Sequence, residues 1–211
     1  STELRSPLAK VIDFARLLED STDEPERRRD LAHAIAGGAA RVASIVEDLL
    51  VASRAELGDL TLAEVPVNLS AQVAQVLEVG GSEMSAVSTP GRNVEPRICL
   101  GDPARVRQIV RNLVIDSIEH GGVDVSIAIH RRASTMRLTV SSTGPSLPVA
   151  LSERVFERPQ RGSGAPIDPD ARFIGISVAR QLAIAMGGDL RYHHEDGTSE
   201  FEVTLRAARS D

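Results

Sequence analysis

The chain has 211 residues, with 24 basic and 30 acidic side chains and a formal net charge of −6, so nothing in its overall charge favours nucleic acid or an anionic membrane surface. A single cysteine, Cys99, excludes an internal disulfide framework and a multi-cysteine zinc site and fits a reducing compartment. No apolar run approaches the ~20 residues that span a bilayer, and the length suits two modest domains, each with its own core.

Ser1-Thr2-Glu3-Leu4 opens into a helical pattern without a capped entry or a signal-peptide pattern, the mark of a piece of something longer. Leu4, Leu8, Val11, Ala15 and Leu18 then recur at steps of four and three, a heptad seam. A polar break from Asp20 to Pro25 precedes a longer seam of Leu31, Ile35, Gly38, Val42, Ile45, Leu49 and Ala52, which predicts a helical hairpin over residues 1–57. Apolar positions beyond the seam, such as Ala34, Val46 and Leu50, need further cover. A second copy supplies it most simply, giving a dimeric four-helix bundle; the alternative is an antiparallel pair packed on its own C-terminal domain. The triplet Arg27-Arg28-Arg29 reads as a solvated charge run, with no aromatic residue interleaved.

Gly58, Pro66 and Asn68 break the helical pattern, so residues 58–68 read as a linker to a domain over 69–211. A helix is expected over Ser70 to Val79, loop over 80–96, and a short buried strand from Arg97 to Leu100. The stretch from Gly101 to Gly122 is the best-specified helix in the chain. Asp102 is a good N-cap, Pro103 suits the first helical position and Gly121-Gly122 can stop it. Val106, Ile109, Val110, Leu113, Val114 and Ser117 fall on one side, and Arg105, Gln108, Asn112, Asp116 and Glu119 form a polar stripe on the other. Alternation at Val123 to Ile129 and at Met136 to Val140 predicts two paired strands. Residues 141–148 read as a turn, 151–156 as a short apolar-containing segment and 157–172 as a long Pro/Gly-rich loop of the functional or mobile kind. A helix over Ile174 to Met186 and strands over 189–193 and 200–205 complete the domain. The expected fold is α+β: a helical hairpin followed by an α/β sandwich with its helices on one face of a mixed sheet. His193 and His194 should point to opposite faces of their strand, which disfavours metal binding.

Several of these stretches carry family motifs. Glu3-Leu4-Arg5-Ser6-Pro7-Leu8 resembles the H-box of sensor histidine kinases, Asp102 to His120 their N-box, Ser142 to Pro148 their G1 turn, Val155 to Arg161 their F-box, and Phe173 to Gly188 their G2 turn and following helix. The resemblance covers nearly the whole chain in order. It implies a cytoplasmic two-component signalling module, with a dimerisation and phosphoacceptor hairpin followed by an ATP-binding domain. In such kinases a histidine accepts phosphate from Mg-ATP and passes it to an aspartate of a response regulator.

The same comparison exposes departures. Thr2 occupies the phosphoacceptor slot. In the N-box Asn112 and His120 match, but Asp116 and Glu119 replace an asparagine and a lysine, which sets a carboxylate where a cation should face phosphate. Ser142 replaces the G1 aspartate that accepts from the adenine amino group, Gly144 is kept, and Ser146 replaces the second glycine. The G2 stretch Ala171-Arg172-Phe173-Ile174-Gly175-Ile176 keeps only Gly175, and Phe173 stands where backbone should approach phosphate. The F-box has Pro159 for a phenylalanine, with Phe156 and Arg161 matching. The resemblance therefore implies a vestigial nucleotide pocket of Asn112, Asp116, Glu119, His120, Ser142, Gly144, Ser146, Arg161, Phe173 and Gly175. Magnesium would sit on Asn112 and Asp116 only if ATP binds. The reading is a pseudo-histidine-kinase with autokinase activity absent or very weak and no required cofactor, Mg-ATP being taken only by a competent pocket. It would act by homodimerisation through residues 1–57 and by binding a response regulator or another histidine kinase, with no nucleic acid or membrane contact. Two alternatives stay open: a response-regulator phosphatase using Glu3 and Ser6, and an enzyme that still binds ATP through a remodelled pocket.

Overall fold

Helix α1 (Thr2–Asp20) and helix α2 (Pro25–Leu57) carry the two heptad seams and pack side by side. Proline suits a first helical position, so Pro25 opens α2 and does not belong to the polar break in which the sequence pattern placed it. The helices approach closely at Gly38, where an added Cβ would lie 2.5 Å from Val11 Cγ2; the seam carries glycine there because no larger side chain fits. The hairpin leaves much of its apolar surface uncovered, Leu8 being 48% and Leu50 54% exposed. The computed structural model describes residues 2–20, 25–89, 97–119, 122–146 and 174–208, and what the sequence suggests for 21–24, 90–96 and 147–173 lies outside them. One compact unit contains the hairpin; the other contains the described residues from Asp59 to Ser146 and from Gly175 onward.

In the second unit, a strand absent from the sequence reading comes first. Strand β1 (Val65–Asn68) occupies the end of the expected linker and pairs antiparallel with β2 (Ile98–Gly101), Val67 opposite Cys99. Four residues interrupted by Pro66 show too little alternation to be recognised alone; the partner strand defines them. Asn68 caps helix α3 (Leu69–Gly80) by accepting from the Ala71 amide at 3.2 Å. Helix α4 (Pro103–Glu119) follows β2, capped as expected: Asp102 Oδ1 accepts from the Ala104 and Arg105 amides at 2.9 and 3.2 Å. Asp102 Oδ2 also accepts from the Ala63 amide at 3.2 Å, so the same carboxylate fastens the segment entering β1 to the start of α4.

Strands β3 (Val123–Arg132), β4 (Thr135–Thr143), β5 (Asp189–Glu195) and β6 (Thr198–Arg206) form one sheet in the order β3-β4-β6-β5, with helix α5 (Ile174–Ala185) between β4 and β5 in sequence. The four strands pair antiparallel throughout, where a mixed sheet was expected; the parallel element is a single bridge from Ser88 to Ser126 of β3. Parallel pairing needs crossovers between neighbours, whereas β3-β4 and β5-β6 are hairpins. The second of these turns on Asp196-Gly197, both at positive φ (49° and 75°), a short-range hairpin signal. Strand β4 also runs on to Thr143, through residues 141–143 of the expected turn, because Ser141, Ser142 and Thr143 pair with Glu200, Ser199 and Thr198 of β6. Side chains of Ile127, Ile129, Met136, Leu138, Val140, Leu190, Phe201, Val203 and Leu205 are buried on one face, together with Val110, Leu113 and Val114 of α4 and Val178, Ala179 and Leu182 of α5.

Two consequences are measurable. Asp102→Ala should lower the unfolding free energy by about 1–2 kcal/mol, and Asp102→Asn, which keeps one acceptor oxygen, should cost less; urea titration of both variants checks this. Cys99 is fully buried, and burial pushes its thiol up from 9.0 to about 11. A raised thiol value means that the unfolded chain ionises first as pH rises, so this residue's contribution to stability is intact below about pH 9 and is lost toward pH 11. At pH 8 a disulfide reagent should label Cys99 only after denaturant is added.

Candidate functional site

The site forms where two buried surfaces meet at the end of the sheet. On α4 the polar stripe is not solvated: Gln108, Asn112 and Asp116 are all buried, and only its ends reach outward. Arg105 Nη1 donates to Gln108 Oε1 at 2.7 Å. One turn on, Asn112 Nδ2 donates to the Gly175 carbonyl at 3.1 Å, fixing the first turn of α5 against the middle of α4. Gly175 allows this approach by having no side chain, since a Cβ there would stand 3.0 Å from Asp116 Oδ2 and 3.4 Å from Asn112 Cβ. The one retained G2 glycine therefore has a packing role of its own.

On the sheet, alternation carries the apolar face to a polar end. Ile127, Val140, Phe201 and Tyr192 make one cross-strand row, and beyond it Ser142, Ser199 and His194 make the next. The two serines thus sit on the core-facing side, both buried. Ser199 Oγ is held by Tyr192 Oη and His194 Nδ1, each at 3.0 Å, and lies 3.5 Å from the Pro145 carbonyl. The Tyr192 and Phe201 rings are 5.1 Å apart between centroids and tilted by 42°. Asp116, Ser117, Gly122, Ser142, Pro145, Tyr192, Ser199 and Phe201 line a small, partly open concavity. Gly122 permits it: a side chain at that position would collide with the Ser117 carbonyl and come within 2.8 Å of Ser142 Oγ.

Of the residues expected from sequence, Asn112, Asp116 and Gly175 meet in one contact, and Asp116 and Ser142 line the same concavity. Glu119 is exposed at the last residue of α4. The Gly144 amide donates to the Gly197 carbonyl at 2.9 Å, and Ser146 is exposed. Thr2 and Glu3 lie in the first turn of α1 and Ser6 is exposed one turn later, all in the hairpin unit. His120, Arg161 and Phe173 lie outside the described residues. Ser117, Gly122, Pro145, Tyr192, Ser199 and Phe201 were absent from the expected set. Strand alternation from Phe201 points to Ser199, whereas Ser117, read as part of the apolar face, carries no sequence signal of its own.

Toward magnesium, Asn112 and Asp116 offer oxygen donors one helical turn apart, a suitable hard-ligand pair. Toward a triphosphate the fit fails among the described residues: none of those lining the concavity is cationic, and one is a carboxylate. The described walls do not fit Mg-ATP as a unit.

Comparison with known proteins adds a lineage. Residues 1–58 match the model of the His Kinase A (phospho-acceptor) domain, and residues 101–209 match that of the histidine kinase-, DNA gyrase B- and HSP90-like ATPases. A probable sensor histidine kinase, TcrY of Mycobacterium tuberculosis, is 29% identical over 97% of this chain and 44% of its own length. The signal transduction histidine-protein kinase BarA of Escherichia coli is 28% identical over 92% of this chain and 22% of its own. The chain thus spans less than half the length of these relatives. Among solved structures, the histidine kinase AdeS of Acinetobacter baumannii superposes with a TM-score of 0.65 at 16% identity, over 99% of both chains. The histidine kinase ThkA, solved in complex with the response regulator TrrA, gives 0.60 at 19% identity over 98% of this chain and 59% of its own. With both halves matched in order and the antiparallel-sheet ATPase fold in place, the chain belongs to the sensor histidine kinase family of two-component signal transduction.

Proposed function

We propose that this chain is a degenerate member of its family, a pseudo-histidine-kinase that signals by dimerising and binding partners and does not transfer phosphate. The observation that carries the reading is Thr2, in the first turn of α1 at the place of the phosphoacceptor histidine. Imidazole is nucleophilic near neutral pH and its phosphoryl bond stays labile enough to be passed on. A threonine hydroxyl needs an adjacent base to attack, and its phosphate ester does not readily hand phosphate onward. Support from the pocket is independent: Ser142 offers a neutral hydroxyl where the family has an anionic acceptor, and Asp116 adds a carboxyl group to the same concavity.

The hairpin retains what a docking module needs. Exposed apolar side chains on both helices, Leu8, Ile12, Val46 and Leu50 among them, suit burial against a second copy. Ser6, exposed on α1, suits contact with a response regulator of the kind seen with ThkA. That exposure also favours a second reading, in which Glu3 and Ser6 orient water against the aspartyl phosphate of a bound regulator. Turnover of a phosphorylated regulator, lost in Ser6→Ala, would select it.

The chain should sediment at twice its 22.6 kDa mass, and incubation with radiolabelled Mg-ATP should leave it unlabelled. Thr2→His should label poorly as well, because the pocket is eroded along with the acceptor. Acid-labile label approaching one phosphate per chain on Thr2→His would show that only the acceptor had been lost. Label on the unmodified chain would overturn the reading altogether.

A further inference from the structure

We propose that His194, Ser199 and Pro145 form a proton-dependent fastener between β6 and the turn that follows β4, in which protonation of His194 directs the Ser199 hydroxyl proton to the Pro145 carbonyl. This goes beyond the pseudokinase reading and holds whether or not the chain transfers phosphate.

Donor counting carries the argument. A serine hydroxyl has one proton to give and two lone pairs with which to accept. Ser199 Oγ has three polar neighbours: Tyr192 Oη and His194 Nδ1, each at 3.0 Å, and the Pro145 carbonyl at 3.5 Å. The carbonyl can only accept and the Tyr192 phenol can donate, so the direction of the His194 bond decides where the Ser199 proton goes. With a neutral ring whose Nδ1 carries no proton, Ser199 donates to the imidazole, the nearer acceptor, and has no second proton for Pro145. A ring protonated at both nitrogens can only donate. Ser199 then accepts from His194 and Tyr192, and its own proton goes to Pro145.

The placement suits such a device. Ser199 is buried, whereas His194 is exposed and exchanges protons with solvent. The Gly144 amide donates to the Gly197 carbonyl at 2.9 Å, a tie between the turn and the β5-β6 hairpin that does not titrate; the Pro145 bond adds a second beside it. Among the groups around the fastener, a phenol such as that of Tyr192 keeps its proton throughout the range in which imidazole side chains change charge. Asp116 of α4 lines the concavity with Ser199 and Tyr192. His193 and Glu195 of β5 alternate to the other face of the sheet, where Glu200 of β6 pairs with His193.

Amide hydrogen exchange and ring ¹⁵N shifts of the labelled full chain, read at about pH 8 and about pH 5, test this. Protection of the Gly144 amide, corrected for the intrinsic pH dependence of exchange, should rise about two- to tenfold on acidification, the equivalent of one net hydrogen bond. In His194→Ala nothing competes for the Ser199 proton, so protection should be high at both pH values; in Ser199→Ala it should be low at both. Because His194 is exposed, its removal leaves the core intact, and that variant decides the matter by itself if Ser199→Ala does not fold. Gly144 protection that is the same at both pH values in the unmodified chain would overturn the proposal, as would ¹⁵N shifts showing Nδ1 already protonated at the higher pH. A rise that persists in His194→Ala would place the titrating group elsewhere, Asp116 included, and overturn it as well.

Discussion

Helix α4 is buried on two sides at once, and the larger unit is arranged to make that tolerable. Its apolar side packs into the core beneath the sheet, while Gln108, Asn112 and Asp116 are buried on the other. A buried polar side chain costs free energy unless it is hydrogen-bonded, so each needs a nearby group of fixed position. The bond from Asn112 to the Gly175 carbonyl is such an arrangement, and it determines where α5 can begin. It also requires glycine at 175, since a side chain would press on both Asn112 and Asp116.

This separates the architecture of the site from its chemistry. The residues that hold α4, α5 and the sheet together serve folding whether or not a nucleotide is bound. Residues whose only task is to meet phosphate or pass it on carry no such second duty. Glu119 and Ser146 lie at a helix end and at an exposed position, where replacement disturbs little packing. Ser142 is different: it is buried, and a small uncharged side chain suits its place beside Ser199 on the core face.

The elements most legible in the sequence were those whose stability is local. Asp102 and Pro103 mark the start of α4 because capping involves residues two and three positions away; the seams of α1 and α2 are visible because a helix repeats its own environment every turn. Less legible were features whose meaning depends on distant partners. Strand β1 is four residues long and owes its definition to β2. The extension of β4 through Ser141 to Thr143 depends on β6, about 60 residues later, which converts a turn-like composition into a paired strand.

The same division holds for the candidate site. Sequence by itself determined the family motifs, the order of the units and the N-capped helix with its polar stripe, since these are matters of residue type and short spacing. Only the tertiary structure decided that the stripe is buried rather than solvated, that Ser117, Tyr192, Ser199 and Phe201 share a concavity with Asp116 and Ser142, and that Gly122 keeps it open. Burial belongs to pairs of surfaces, and no single segment carries a record of the surface that will cover it.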